Sequence, residues 1–185
     1  VNLYSLSKLN FDNYIRESTK NFSNSNKIYG LRYFNVYGPG ENFKGKMASV
    51  IYHFFQQISN EKKIKLFVGS DGFQNGEQKR DFIHVDDITN ITLDTFINNY
   101  NSGIYNVGTG VATTFNKVAD IIINLLKYNN QIEIEYIDFP YNLLKGYQSY
   151  TKADLSHFKK NGLKYNFINI ENGISSYIEN LKQNL

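Results

Sequence analysis

The chain contains no cysteine. It therefore has no disulfide bond, thiolate nucleophile or thiolate metal ligand, and it carries no sign of an oxidising compartment. No apolar run approaches the roughly 18 residues that a membrane span needs, and no basic-then-apolar leader is visible. We expect a cytoplasmic protein with no membrane partner.

Several motifs of common enzyme and binding sites are also missing. The three histidines, His53, His84 and His157, lie far apart without the spacing of metal ligands, so no metal site is predicted. The sequence has no recognisable Ser-His-Asp triad motif and no G-x-G-x-x-G turn, and it has no complete G-x-x-x-x-G-K-[Ser/Thr] loop, because Met47 follows the G-x-x-x-x-G-K of residues 40–46. The net charge of +3 comes from scattered lysines. Their densest cluster, residues 62–65, is interpreted as solvated surface rather than a nucleic-acid site.

The apolar residues alternate between strand-like and helix-like patterns. The predicted strands are residues 28–36, 64–68, 80–85, 103–107 and 132–137. The predicted helices are residues 6–21, 47–58, 86–97 and 115–126, one after Thr151, and one at residues 170–181. This order predicts an α/β fold with a largely parallel sheet, in which ligands bind beyond the carboxyl ends of the strands. Residues 28–36 are nearly continuous in apolar and aromatic residues, which is typical of a strand buried on both faces.

Tyr4 and Lys8 are four residues apart at the start of the first predicted helix, so both side chains point to the same face. A nearby cation favours the deprotonated form of a phenol, and such a pair can transfer protons near neutral pH. In a chain with 15 tyrosines, however, this spacing also arises by chance.

Four other residues could carry chemistry, and each has a simpler interpretation. Asn35, at a strand end, can bind a ligand or tie down its own turn. Lys44 can transfer protons if it is desolvated, or it is an exposed lysine. His53 fits the edge of a core better than a catalytic site. Arg80 can form a local ion pair with Asp81 or bind phosphate through its planar guanidinium.

Four motifs occur together in order and approximate spacing: Tyr4-x-x-x-Lys8, residues 31–39 (LRYFNVYGP), residues 80–87 (RDFIHVDD) and residues 105–110 (YNVGTG). Together they resemble the extended short-chain dehydrogenase/reductase superfamily. Within it, residues 43–50 (FKGKMASV), 134–140 (IEYIDFP) and 151–155 (TKADL) resemble the ADP-glyceromanno-heptose 6-epimerase family. The resemblance covers the whole chain and the carboxyl-terminal part of that family.

The resemblance implies an isomerase that inverts C6 of the heptose in ADP-heptose for lipopolysaccharide core biosynthesis, through transient hydride transfer to tightly bound NADP. The catalytic residues implied are Tyr4 and Lys44, and the cofactor-binding residues are Lys8, Val36 and Lys44. The substrate-binding residues implied are Asn35, Lys46, His53, Phe67, Val68, Gly69, Ser70, Arg80 and Tyr147. The family also implies a homo-oligomer, a pentamer.

The resemblance further implies two domains. Residues 1–40 and 85–110 would form the carboxyl-terminal part of an NADP-binding Rossmann domain, and residues 41–84 and 111–185 a smaller mixed α/β substrate-binding domain. The Gly-rich turn that binds the NADP pyrophosphate is not in the sequence, and the first residue is Val1. We therefore expect the later part of a longer enzyme, inactive alone and binding NADP weakly or not at all.

The sequence also departs from the family pattern. Lys46 replaces an expected serine, Val68 replaces an expected acidic residue, and the loop 71–79 is longer than usual. Two alternatives remain: another nucleotide-sugar epimerase or dehydratase of the superfamily, or a truncated noncatalytic remnant that acts as an interaction module.

Overall fold

The computed structural model describes residues 3–20, 27–128, 131–140 and 146–183. The helices are α1 (Leu3–Thr19), α2 (Val50–Glu61), α3 (Val85–Ile97), α4 (Phe115–Leu126), α5 (Ser156–Lys160) and α6 (Ile170–Gln183). The strands are β1 (Tyr29–Tyr33), β2 (Asn35–Tyr37), β3 (Lys63–Phe67), β4 (Lys79–Arg80), β5 (Phe82–His84), β6 (Gly103–Val107), β7 (Thr113–Thr114) and β8 (Glu133–Ile137). A 3-10 segment covers Asn42–Met47. No helix among the described residues is long and apolar enough to cross a membrane.

Strand pairing is mostly parallel. The parallel pairs are β1 with β6, β2 with β5, and β3 with β8, and β4 pairs with β7 in the antiparallel sense. The predicted strand at residues 28–36 is divided at Phe34, whose N–H still bonds Val107 O at 2.9 Å, while Asn35 N bonds Asp81 O at 3.1 Å. The chain thus changes partner from β6 to β5 at this point. The α/β fold with a largely parallel sheet is confirmed.

Two apolar clusters form the core. The larger one joins α2, α4 and α6 to β3, with fully buried residues such as Ile51, Ile122 and Ile174. The second surrounds β6 and includes Ile83 and Tyr105. Phe158 and Leu163, from the predicted substrate-binding domain, pack in this second cluster. The two-domain division stays a prediction.

Polar caps begin three of the helices. The Ser49 hydroxyl accepts from Tyr52 N at 3.2 Å, the His84 Nδ1 from Asp86 N at 3.2 Å, and the Thr114 hydroxyl from Lys117 N at 3.0 Å. Each cap satisfies a backbone N–H that has no partner within the helix. The second and third caps place α3 and α4 directly after β5 and β7.

Three expectations were wrong in detail. Strand β1 is not buried on both faces, since Arg32 and Tyr33 are exposed; among the described strands only β6 pairs with it. Met47 does not belong to α2 and is 85% exposed, because Ala48 is extended and Ser49 caps the helix after it. The helix after Thr151 is only α5, five residues long.

Candidate active site

The first residues of β2, the 3-10 segment and β4 surround a cavity of about 250 Å³, here called the Arg80 cavity. Its lining includes four residues predicted for the site: Asn35, Val36, Lys44 and Arg80. The remaining lining residues are Glu41, Met47, Ala48, Ser49, Val50, Phe82 and Phe115. Asn35, which lines the cavity, lies two residues beyond the carboxyl end of the parallel strand β1, the side on which ligands bind in this fold.

Asn35 has a defined orientation in this cavity. Its Nδ2 donates to Asp81 O at 3.2 Å and, more weakly, to Thr151 Oγ1 at 3.4 Å. Its Oδ1 has no hydrogen-bond partner within the described part of the chain. The amide therefore ties down the neighbouring strand and leaves a carbonyl oxygen to accept from a ligand hydroxyl.

Arg80 is a half-buried cation without a carboxylate partner among the described residues. Its Nη1 donates to Lys79 O at 3.0 Å, and its guanidinium lies 4.9 Å from the Tyr147 ring centroid and 5.7 Å from that of Phe115. Burial lowers the pKa of Arg80, and Tyr147 partly offsets this effect. The ion pair with Asp81 considered from the sequence does not form. A desolvated guanidinium in this state is suited to bind an anion such as phosphate.

The 3-10 segment carries Lys44 and is anchored by Glu41, which is 3% exposed. The Glu41 carboxylate accepts from Ser49 N and Ser49 Oγ, both at 2.6 Å, and its carbonyl oxygen accepts from Lys44 N at 3.0 Å. Lys44 and Lys46 are both exposed. The desolvation considered for Lys44 is therefore not present, although Lys44 does line the cavity.

Tyr4 and Lys8 lie on the same face of α1, as their spacing predicts. The Lys8 Nζ is 5.3 Å from the centroid of the Tyr4 ring. Tyr4 is 71% exposed. Neither residue lines the Arg80 cavity, so the structure brings them to each other but not into this cavity.

Residues 67–70 and Tyr147 form a second group next to Arg80. The Phe67 ring stacks on Phe139 at 4.4 Å between centroids, and Phe139 lies 4.6 Å from Tyr147. Ser70 Oγ bonds Ser149 Oγ at 2.8 Å. Two further bonds fix the backbone here: Gln78 Nε2 donates to Val68 O at 2.7 Å, and Gly69 N donates to Asn75 Oδ1 at 2.8 Å. The long loop 71–79 thus supports this group.

His53 is half-buried on α2 beside Tyr52, at 6.0 Å between ring centroids, and it does not line the cavity. The described residues contain no cluster of three side chains that could hold a metal ion.

Sequence reasoning missed three residues that shape the site: Glu41, Asp81 and Thr151. Asp81 and Thr151 act through partners far along the chain, and Glu41 acts through Ser49 across the 3-10 segment, so short-range spacing rules give no signal for them. Only Asp81 offered a clue, because alternation along an extended segment turns its side chain away from Arg80.

Parallel strand pairs and helical crossovers define a Rossmann-type α/β protein, and Arg80, which has no carboxylate partner among the described residues, lies at the end of β4. The profile of the NAD dependent epimerase/dehydratase family matches residues 1–108. Because this match covers more than half of the chain, the chain belongs to that family.

The more specific resemblance seen in the motifs is also confirmed. The ADP-L-glycero-D-manno-heptose-6-epimerase of Alkalilimnicola ehrlichii is 46% identical over 179 residues, which are 97% of this chain and 54% of that protein. The same enzyme of Helicobacter pylori has a solved structure that is 29% identical, with a TM-score of 0.74 over 98% of this chain and 51% of that one. The chain spans about half the length of the curated relatives that it matches.

A solved structure with a different substrate matches as well. The UDP-N-acetylglucosamine 4-epimerase of Methanobrevibacter ruminantium, in complex with UDP-N-acetylmuramic acid, is 27% identical with a TM-score of 0.79, over 98% of this chain and 54% of that one. Backbone similarity alone therefore does not separate the two kinds of nucleotide sugar.

Proposed function

We propose that the complete enzyme containing this chain inverts C6 of the heptose in ADP-glycero-manno-heptose, for lipopolysaccharide core biosynthesis, with tightly bound NADP as its cofactor. The observation that carries the proposal is the Arg80 cavity, where a half-buried guanidinium without a carboxylate partner among the described residues lies beside Asn35 and Lys44. Such a cation suits the diphosphate of a nucleotide sugar. The 46% identity to an ADP-heptose epimerase supports the choice of nucleotide and sugar.

The residues present fit one end of a dinucleotide. Tyr4 and Lys8 form an exposed phenol and ammonium pair on one helix face, which suits the hydroxyls of the nicotinamide ribose. Val36, the middle residue of β2, would meet the cofactor through its backbone. NADP, when bound, would supply the acceptor and donor of a single hydride. The sequence of this chain contains no Gly-rich turn of the kind that binds the pyrophosphate of NADP.

Inversion at C6 through a transient carbonyl needs the C6 hydroxyl oxygen to lose a proton and later regain one, with the sugar in two orientations. We assign one transfer to the Tyr4 hydroxyl, with Lys8 holding the ribose, and the other to the Lys44 ammonium. Lys44 is exposed on the 3-10 segment, where no described residue restricts it to one position, so its amine can approach a sugar in the Arg80 cavity. Two proton-transfer groups from separate elements suit a substrate that presents each face in turn.

The remaining predicted residues would bind substrate. Arg80 would hold the diphosphate, and Asn35 Oδ1 would accept from a sugar hydroxyl. Phe67, Val68, Gly69, Ser70 and Tyr147 would surround the nucleotide next to Arg80, whereas Lys46 and His53 would contact the sugar only after a movement of their elements. The complete enzyme is proposed to be a cytoplasmic homo-oligomer.

A second candidate is an epimerase that acts on a UDP-linked sugar. It is favoured by the TM-score of 0.79 to the UDP-N-acetylglucosamine 4-epimerase. The two candidates share the diphosphate and differ in the base and the sugar.

Calorimetric titration of this chain with ADP and with UDP tests the proposal. We expect ADP to bind more tightly than UDP, and Arg80→Met to weaken ADP binding roughly 10-fold to 100-fold, the equivalent of one or two hydrogen bonds to a charged group. The matched control is Lys65→Met, which removes the same charge from an exposed residue paired with Glu61. Tighter binding of UDP would favour the second candidate, and an unchanged affinity in Arg80→Met would remove Arg80 from the site.

A further inference from the structure

Asp81 lies between β4 and β5 and has a fully buried carboxylate. Its Oδ1 accepts from Thr109 N at 2.8 Å and Thr109 Oγ1 at 2.7 Å, and its Oδ2 accepts from Gly110 N and Ala153 N, both at 2.9 Å. No cation pairs with it among the described residues. Four donors from two distant segments therefore stabilise this charge without a counter-ion.

The backbone at Gly108 passes very close to the Asp81 carboxylate and to Ala153. A Cβ atom on Gly108 would lie 2.8 Å from Asp81 Oδ2 and 2.7 Å from the Ala153 Cβ, so a larger residue would force the turn away. All four groups that face the carboxylate are donors. An amide at this position would turn its own NH₂ group toward some of them, and those donors would lose their acceptor.

The same residue reaches the Arg80 cavity through its backbone. Asp81 O accepts from both Asn35 N and Asn35 Nδ2, at 3.1 and 3.2 Å. The second acceptor of Asn35 Nδ2 is Thr151 Oγ1, and Thr151 is two residues from the Ala153 N–H that the carboxylate binds. Asp81 thus holds the Asn35 amide through its backbone carbonyl, and its carboxylate holds the segment that carries the second acceptor, Thr151.

The segment at residues 149–153 runs beside β4. Lys79 N bonds Ser149 O at 2.9 Å, and Thr151 N bonds Lys79 O at 3.1 Å. Asp81 binds the far end of this segment, and Tyr147, which packs on Arg80, lies just before its near end. Movement of Ala153 away from Asp81 would therefore loosen the wall that holds both Asn35 and Arg80.

We propose that Asp81 is a positioning residue for substrate, whose buried carboxylate joins the turn at Thr109 and Gly110 to the segment at Ala153 and so orients the Asn35 amide and the Arg80 guanidinium. This inference rests on the proposed function, because it assumes that these two side chains bind the nucleotide sugar. It predicts that loss of the carboxylate weakens substrate binding and leaves the chemical step unaffected.

The test compares Asp81→Asn with Asp87→Asn. Asp87 is equally buried, and its carboxylate accepts from Tyr165 Oη at 3.0 Å and Ile168 N at 3.1 Å, neither of which lines the Arg80 cavity. In Asp81→Asn we expect faster hydrogen exchange at the amides of Gly110 and Ala153 and at the Asn35 side chain, together with an ADP affinity about 10-fold weaker. In the complete enzyme, KM for ADP-heptose should rise by the same factor with kcat within about two-fold.

Thr109→Val removes one of the four donors to the Asp81 carboxylate, together with the acceptor of Val111 N, at nearly constant volume. It should give the same faster hydrogen exchange and weaker ADP binding, each to a smaller extent. The inference is therefore testable even if Asp81→Asn does not fold. Unchanged Asn35 exchange and ADP affinity in a folded Asp81→Asn, or equal losses in Asp87→Asn, would overturn the positioning role. If the parent chain does not bind ADP, the proposed function fails, and the Asn35 exchange still decides whether Asp81 orients the amide.

Discussion

Glu41 is a buried carboxylate that joins the segment carrying Lys44 to the first turn of α2. Replacement by glutamine keeps its size and removes its charge. The carboxylate accepts two short hydrogen bonds from Ser49, both at 2.6 Å. The amide can keep the bond from Ser49 N through its remaining oxygen, whereas its NH₂ group can meet the Ser49 hydroxyl only as a donor, so that neutral hydrogen bonds replace two charged ones.

The magnitude follows from these contacts. A hydrogen bond to a charged group contributes about 1.5–3 kcal/mol, so we expect Glu41→Gln to lower the free energy of unfolding by about 2 kcal/mol. For a chain of this length, that loss corresponds to a decrease in Tm of roughly 4–8 °C. Thermal unfolding followed by circular dichroism measures it.

The matched control is Glu61→Gln, at the exposed end of α2. Glu61 pairs with Lys65 at 3.3 Å, and both side chains are largely accessible to water. Removal of such a pair should change the stability by less than about 1 kcal/mol. A decrease in Tm below about 1 °C for Glu41→Gln, or equal decreases in both variants, would refute the assignment of Glu41 as the anchor of the Lys44 segment.

Three further predictions concern the helix of Tyr4, the buried Asp87 and the core. Tyr4→Phe should abolish epimerisation by the complete enzyme with an unchanged circular dichroism spectrum, because only an exposed hydroxyl is lost; near-parental turnover would remove Tyr4 from the mechanism. Burial raises the pKa of Asp87 above its ordinary value of 3.8, so its ionisation disfavours the folded state. The stability of Asp87→Asn relative to the parent should therefore increase as the pH rises from below that value toward neutral, and a constant difference in denaturant titrations would contradict this. Ile122→Ala should lower the free energy of unfolding by about 2–5 kcal/mol, since the side chain is fully buried in the larger cluster; a loss below about 1 kcal/mol would mean that the cluster relaxes around the gap.

The sequence patterns predicted those features that depend on residues close together in the chain, such as the faces and positions of helices. Helical spacing placed Tyr4 and Lys8 on one face, and the apolar period predicted the helix at residues 115–126 that the structure shows as α4. The change of strand partner at Phe34 could not be predicted, because it depends on where β5 and β6 lie rather than on residues 28–36. Met47 kept the helical spacing of α2, but the extended Ala48 separates it from the helix.

Long-range contacts decide the rest of the site. Arg80 has Tyr147 as its neighbour and Asp81 has Ala153, and neither pairing follows from a local period. Asp81 was considered as a partner of Arg80 because the two are adjacent in sequence. In an extended segment, adjacent side chains point to opposite faces, so Asp81 binds the turn at Thr109 while Arg80 faces the cavity.

The most direct test of the central claim is the turnover of ADP-heptose by the complete enzyme, with inversion at C6 followed by proton NMR and with UDP-hexoses as competing substrates. The account predicts inversion of ADP-heptose, its loss in Lys44→Met, and retention of activity in Lys65→Met, which removes an exposed charge outside the cavity. Turnover of UDP-hexoses alone, or full activity in Lys44→Met, would contradict it.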